Sequence, residues 1–197
     1  MTARLTSFAA GALAAAPALP ALADSVNEPG WSGYTTTGKT FIRISAKWRE
    51  PTVKRTLSDS RVFIWVGFGG DETLQQDGVI AVCNAVGAPR FYKGVWEMFR
   101  PGATPSPGGE PFTVSPGDEI EASVEYRDGS VTLEVKDNTS GAHLKTVQPC
   151  GAGRPRTSAD WIVERPGSGR YPLADYGLGA ARAGQGARRG GRRRPRA

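Results

Sequence analysis

Two carboxylates lie four residues apart in a segment that is otherwise suited to a buried strand. Ser158–Glu164 is rich in aromatic and β-branched residues and lies between prolines. Side chains alternate between the two faces of a strand, so Asp160 and Glu164 share one face with Ile162. Because an unpaired buried carboxylate is costly, the pair needs an explanation. A solvent-exposed face or a salt bridge would explain it, and so would a catalytic carboxylate in a cleft.

A second polar segment, residues 73–79, contains two adjacent glutamines. Strand parity places Gln76 on one face and Gln75, with Asp77, on the other. An amide directed into a cleft can donate a hydrogen bond to a developing oxyanion, and it stays neutral at any pH. With a glutamate that activates water, such an amide could hydrolyse a peptide bond without metal or histidine. The alternative is that both glutamines are ordinary polar strand residues.

The residue inventory gives little support to other chemistries. His143 is the only histidine and lies in a polar turn region without a nucleophile motif, so we interpret it as a solvent-exposed residue. One histidine and two distant cysteines do not have the spacing of a zinc site. The glycines of residues 67–70 are followed by neither the lysine nor the helix of a phosphate-binding loop. An enzyme of this composition would use carboxylates and amides, and we expect no metal and no cofactor.

Short strands separated by glycine- and proline-rich turns fill residues 31–177, and no segment has a helical period. Asp128-Gly129 between two alternating runs predicts a hairpin, and residues 138–141 predict a further turn. The pattern predicts an antiparallel β-sandwich or barrel. Residues 101–118, rich in proline and glycine, are predicted to form a long surface loop. The predicted strands cover residues 39–48, 61–67, 74–83, 91–99, 119–126, 131–135, 144–147 and 158–164.

The two ends of the chain differ from its centre in composition. Residues 1–23 combine Arg4, an apolar stretch and the small-residue pattern Ala21-Leu22-Ala23, which is typical of a secretory signal and too short to span a membrane. Residues 180–197 contain seven arginines and no acid, and are predicted to be a disordered tail. Removing these seven and Arg4 from the 25 basic residues leaves 17 against 19 acidic ones. The domain, residues 24–179, therefore carries about −2, which argues against specific nucleic-acid binding.

Two cysteines in an exported chain suggest one disulfide, between Cys83 and Cys150. Two buried thiols are the alternative, because sequence alone does not give the distance between the two Cβ atoms.

Seven short motifs are distributed over residues 30–177. They are Gly30-Trp31-Ser32-Gly33-Tyr34, Phe63-Ile64-Trp65-Val66-Gly67, Gln76-Asp77-Gly78-Val79, Trp96-Glu97, Val114-Ser115-Pro116-Gly117-Asp118, Asp160-Trp161-Ile162-Val163-Glu164 and Leu173-Ala174-Asp175-Tyr176-Gly177. Their order and spacing resemble those of the glutamic peptidases (eqolisins, peptidase family G1), and the resemblance extends from Trp31 to about Gly177. It implies a jelly-roll, concanavalin A-like sandwich of two antiparallel sheets with a cleft on one sheet face. It also implies a secreted endopeptidase that acts on proteins and peptides near pH 3 to 4, resists pepstatin and needs no cofactor; we expect a monomer.

The same resemblance implies which residues form the site. The catalytic pair would be Gln76 and Glu164, with Glu164 taking a proton from the attacking water and Gln76 stabilising the oxyanion. Trp65 and Glu97 match positions close to this pair, and Trp31 matches a tryptophan that lines the substrate cleft. Trp31 and Trp65 could instead be core aromatics, and Glu97 could serve only to hold Gln76. The loop at residues 101–109 corresponds to one that borders the cleft.

Two further functions remain open from sequence. One is a non-catalytic sandwich that binds peptide or glycan through the same cleft. The other is a glycosidase using Glu97 and Glu164, which requires carboxyl groups separated by about 5 Å or about 6.5–9.5 Å.

Overall fold

The computed structural model describes residues 24–28, 30–38, 40–54, 58–70, 73–83, 90–99, 107–108, 112–150, 155–167 and 170–177. Within these ranges all regular structure is β-strand, as the sequence predicts. The strands are β1 (Asp24–Glu28), β2 (Trp31–Thr37), β3 (Arg43–Arg49), β4 (Ser60–Gly70), β5 (Thr73–Cys83), β6 (Arg90–Phe99), β7 (Pro107–Gly108), β8 (Glu119–Arg127), β9 (Ser130–Asp137), β10 (His143–Pro149) and β11 (Ser158–Glu164).

The strands form two sheets that pack face to face. One sheet has seven strands in the order β1-β2-β11-β4-β5-β6-β7, and the other has four in the order β10-β9-β8-β3. Every pairing between named strands is antiparallel. The predicted antiparallel β-sandwich is confirmed. β11, the segment Ser158–Glu164, is an inner strand of the large sheet and lies between β2 and β4.

The main hydrophobic core lies between the two sheets. β4 contributes alternate residues such as Ile64 and Val66, which belong to one buried cluster with Val124 and Leu133 of the four-stranded sheet. All four side chains are almost completely buried. Because β4 is also covered on its other face, its residues read as a nearly continuous apolar run, as the sequence predicts.

The predicted disulfide between Cys83 and Cys150 is not formed. Both residues are thiols and both are fully buried in the main core. A buried cysteine packs as a small apolar side chain, so the composition of the core accounts for both residues without a covalent bond. The alternative of two buried thiols is the one that the structure supports.

The β8–β9 hairpin turns at the predicted Asp128-Gly129 pair. Both residues have positive φ angles, 48° and 81°, as the tight turn between two paired antiparallel strands requires. The next predicted turn is also present, because the Gly141 N–H donates to the Asp137 carbonyl oxygen at 2.8 Å. His143, at the start of β10, is exposed as expected.

Several predicted features lie outside the described residues: the signal at residues 1–23, the tail at residues 180–197, and half of the loop at residues 101–118. Within that loop, β7 pairs with β6 at the edge of the large sheet. β1, β2 and β7 are not among the strands predicted from sequence. Over the described ranges, no helix is long and apolar enough to cross a membrane.

Candidate active site

The outward face of the seven-stranded sheet carries the predicted site residues in a defined register. Glu164 of β11 lies opposite Phe63 of β4, and two residues further along β4, Trp65 lies opposite Ile162. Gln76 of β5 lies between Gly67 of β4 and Glu97 of β6. Since these side chains all project away from the main core, the antiparallel register brings residues from four strands to one surface.

A cleft of about 780 Å³ opens on this face. Gln76, Glu97, Glu164 and Trp31 all line it, so the structure brings four of the five predicted cleft and catalytic residues to one cavity. The fifth, Trp65, is only 1% exposed and lies in a small apolar cluster on the same sheet face. Gln75 faces the opposite way and is fully buried in the interior, as strand parity predicts.

Trp65 forms part of the apolar floor of the site. Its ring packs edge-on against Trp31 with the centroids 5.1 Å apart, and lies 6.3 Å from the ring of Phe63. Its cross-strand neighbour on β5 is Gly78, where an added Cβ would lie 2.7 Å from the Trp65 Cα and 2.0 Å from the Ile64 carbonyl oxygen. Strand β5 can therefore approach Trp65 this closely only because position 78 is glycine.

Glu164 is partly buried and is held by Trp65. The indole Nε1–H donates to Glu164 Oε2 at 2.8 Å. Burial raises the pKa of Glu164 above its ordinary value of 4.5; hydrogen bonding to the indoles of Trp65 and Trp31 lowers it, and the charge of Glu97 raises it again. The resulting carboxyl group takes up a proton more readily than an exposed glutamate, while one of its oxygens is fixed in position.

Gln76 is held by Glu97 on the neighbouring strand. Gln76 Nε2 donates to Glu97 Oε2 at 2.6 Å, which leaves the second hydrogen on this nitrogen available. Gln76 Oε1 is buried and has no hydrogen-bond partner among the described residues. On the other side, an added Cβ at Gly67 would lie 3.1 Å from both the Gln76 Cβ and Trp65 Cζ3. Gly67 thus provides the space in which the amide and the indole approach each other.

Asp160, the other carboxylate of β11, has different surroundings. It accepts hydrogen bonds from the hydroxyls of Thr35, at 2.5 Å, and Ser158, at 2.8 Å. Burial raises its pKa, and these two hydrogen bonds oppose the rise. Asp160 also lines the cleft, but it is only 5% exposed. The two carboxylates that strand parity made equivalent are therefore distinct: Asp160 is held between two hydroxyls, and Glu164 is held by an indole.

Sequence reasoning missed two features of the site region. Arg61, at the start of β4, also lines the cleft, and its guanidinium stacks on Tyr171. Arg61 lies two residues before Phe63 and four before Trp65, so strand parity could have placed it on the same face of β4. Asp77, beneath the site, is fully buried, and burial raises its pKa well above 3.8. Among the described residues, no group of three or more His, Cys, Asp or Glu could hold a metal ion.

Comparison with known proteins gives one family and several structures. Residues 29–180 match the Peptidase A4 family. Scytalido-glutamic peptidase, solved with a peptide-based transition-state analogue, is 22% identical with a TM-score of 0.58, covering 79% of this chain and 76% of that one. SCP-B, an eqolisin solved with the tripeptide Ala-Ile-His, is 22% identical with a TM-score of 0.55, covering 79% and 75%. Aspergilloglutamic peptidase from Aspergillus niger is 27% identical with a TM-score of 0.50, covering 60% and 71%. No curated protein sequence matches this chain.

The fold and the cleft define the class: a two-sheet sandwich whose outer face carries carboxylates, an amide and tryptophans in one cavity. This chain belongs to the Peptidase A4 family, the family of the eqolisins, and its class of activity is the hydrolysis of peptide bonds by a glutamic endopeptidase. The family resemblance of the sequence motifs is confirmed.

Proposed function

We propose that the protein is an exported endopeptidase of acidic surroundings in which Glu164 is the general base and Gln76 stabilises the oxyanion. The observation that carries this proposal is the placement of both side chains in one cleft with Trp65 between them. Each side chain is held by a partner on a neighbouring strand, Glu164 by Trp65 and Gln76 by Glu97. Such fixed geometry lowers the cost of orienting reacting groups.

The chemistry follows from the two groups. The ionised carboxylate of Glu164 accepts a proton from a water molecule as the water oxygen attacks the scissile carbonyl carbon. The free N–H of Gln76 Nε2 donates to the oxygen that becomes negative, and a preorganised donor of this kind lowers the barrier more than it strengthens ground-state binding. Glu164 then passes the proton to the leaving amine, and the C–N bond breaks. The other hydrogen on Gln76 Nε2 remains bonded to Glu97 throughout.

The pKa of Glu164 sets the acidic limit of this mechanism. Because burial raises that pKa above 4.5, the base form of Glu164 is the minor species at pH 3 to 4. Activity should therefore rise with pH through the Glu164 pKa. The acidic limb of the pH–rate profile should therefore lie above pH 4.5, the ordinary pKa of a glutamate.

Export and substrate class complete the proposal. Arg4, the apolar stretch after it and Ala21-Leu22-Ala23 support secretion of the mature chain to the outside of the cell. An open cleft on a sheet face suits an extended peptide segment of a protein substrate. We propose that the protein acts as a monomer and without metal or cofactor.

The decisive experiment is proteolysis of casein between pH 3 and 6 in the presence of pepstatin. Wild-type protein should cleave casein, whereas Glu164→Gln and Gln76→Ala should lose about 100-fold or more in rate. Glu125→Gln and Gln148→Ala, on the opposite sheet, are matched controls that should retain wild-type rates. A folded wild-type protein that is inert over the whole range, or that binds peptide without turnover, would refute the proposal.

A further inference from the structure

Arg61 is a half-buried cation with no counter-charge among the described residues. It lines the cleft at the end nearest Glu164, beside Phe63, Pro166 and Gly167. Its Nε is buried without a hydrogen-bond partner among the described residues. No acidic side chain in the described part of the chain forms an ion pair with it. Because desolvating a charge without compensation is costly, a ligand that supplies the missing anion would be favoured here.

A side-chain contact and two backbone hydrogen bonds fix the position of Arg61. Its guanidinium carbon lies 3.6 Å from the centre of the Tyr171 ring. Its backbone N–H donates to the Pro172 carbonyl at 3.0 Å, and its own carbonyl accepts from the Ala174 N–H at 2.9 Å. Stacking occupies one face of the guanidinium, while the N–H groups at its edge are the ones that bind a carboxylate in a two-pronged manner. Tyr171 therefore orients the Arg61 guanidinium without occupying the N–H groups at its edge.

Arg61 lies at one end of the cleft, apart from the acidic residues Glu97 and Asp160. Glu97 and Asp160 lie in the same cross-strand row as Gln76 and Gly67, whereas Arg61 lies beyond Phe63. Arg170 adds a second cation near this end, with its guanidinium carbon 5.8 Å from the Tyr171 ring centre. A peptide along the cleft therefore passes the acidic row beside Gln76 and, beyond Phe63, reaches a cation.

We propose that Arg61 binds an ionised carboxylate of the peptide substrate and so selects an acidic residue at one subsite. This inference rests on the proposed peptidase function of the same cleft. Arg61 lies two residues along β4 from Phe63, the cross-strand partner of Glu164. With a rise of about 3.3 Å per residue along a strand, the selected side chain is at least two residues from the scissile bond.

The ionisation of the substrate gives this subsite a signature that a structural role for Arg61 would not produce. A free glutamate side chain has a pKa of about 4.3, so the substrate gains its charge as pH rises from about 3 to about 5. The preference for glutamate over glutamine at the subsite should grow as pH rises from 3 to 5.

The test uses pairs of peptides with one common scissile bond that differ only in glutamate or glutamine, two or three residues to either side. Wild-type protein should show a kcat/KM ratio of about 10 or more in favour of glutamate at one of these positions at pH 5. Arg61→Gln should bring that ratio close to 1. Arg127→Gln makes the same charge change at the exposed end of β8 on the opposite sheet and should keep the wild-type ratio.

Two results would overturn the subsite: equal cleavage of both peptides by the wild type, or an undiminished preference in Arg61→Gln. Failure of the peptidase proposal looks different, because then neither peptide is cleaved. In that case the same peptides carry a fluorescent label, and fluorescence anisotropy measures their binding. The binding affinities alone then test whether Arg61 selects glutamate. Tighter binding of the glutamate peptide to wild type than to Arg61→Gln would support it, and equal binding would refute it.

Discussion

The indole N–H of Trp65 donates to Glu164 Oε2 at 2.8 Å. The two residues lie on neighbouring strands and are 99 positions apart in the chain. This contact opposes the rise in the Glu164 pKa that burial and Glu97 cause. Trp65 therefore does more than fill the floor of the cleft: it holds one carboxylate oxygen and favours the ionised form that the proposed base requires.

Trp65→Phe removes this donor while keeping an aromatic ring in the apolar floor. The pKa of Glu164 should rise, so the acidic limb of the kcat/KM profile should move to higher pH. At pH values on the acidic side of that limb, kcat/KM of the variant should be about 3- to 10-fold lower than that of the wild type. Trp161→Phe is the matched control, because the Trp161 indole donates to the Ser45 carbonyl on the inner side of the sheet. An unchanged acidic limb in Trp65→Phe would contradict the role of this hydrogen bond.

Glu97→Gln should move the same limb in the opposite direction. The charge of Glu97 raises the pKa of Glu164, and a glutamine at position 97 removes that charge while its carbonyl oxygen can still accept from Gln76. We expect the acidic limb to shift to lower pH, with activity at the optimum within about a factor of ten of wild type. pH–rate profiles of the two variants measured side by side check both signs. Shifts in the same direction would argue against Glu164 as the titrating base.

Gly67→Ala tests the close approach of Gln76 and Trp65. An added Cβ would lie 2.7 Å from the Gln75 carbonyl oxygen and 3.1 Å from both the Gln76 Cβ and Trp65 Cζ3. Overpacking at such a site costs about 1–3 kcal/mol, and the strand must move to relieve it. We expect a lower melting temperature together with a loss of about 10-fold or more in kcat. A variant that retains wild-type kcat would show that the position of Gln76 is not critical.

Sequence patterns predicted those parts of this molecule that depend on local alternation. Parity on β11 placed Asp160 and Glu164 on one face, and parity on β5 separated Gln76 from Gln75. Periodicity does not reveal which strand lies beside which. The hydroxyl of Thr35 reaches Asp160 only because β2 pairs with β11, 125 residues further along the chain.

The same limit explains one omission, Arg61, and one wrong prediction, the disulfide. The stacking of Arg61 on Tyr171 depends on the path that the chain takes after β11, which no local pattern encodes. The expected disulfide followed from cysteine count and export, and neither gives the distance or orientation of two Cβ atoms in a folded core. Long-range contacts therefore decide the details that sequence periodicity leaves open.

A buried glutamate far from the cleft predicts how stability depends on pH. Glu50 is 2% exposed; its Oε2 accepts from the Trp48 indole N–H at 2.8 Å, and its Oε1 has no partner among the described residues. Burial raises the pKa of Glu50 to about 8; the Trp48 hydrogen bond lowers it, and the charge of Asp118 raises it. In the unfolded chain the same group has its ordinary pKa of 4.5. Between these two values the folded protein binds a proton that the unfolded chain has released.

The free energy of unfolding should consequently fall as pH rises from about 4.5 to about 8 and be unaffected by this group below that range. Glu50→Gln keeps an acceptor for Trp48 and removes the ionisation, so the loss of stability between pH 4 and pH 8 should shrink by on the order of 3–5 kcal/mol. Urea unfolding of both proteins at a series of pH values measures this dependence of the free energy of unfolding on pH. Glu125→Gln, an exposed partner of Arg43, should leave the slope in this range unchanged. Equal slopes for wild type and Glu50→Gln would show that Glu50 is already ionised in the folded protein at neutral pH.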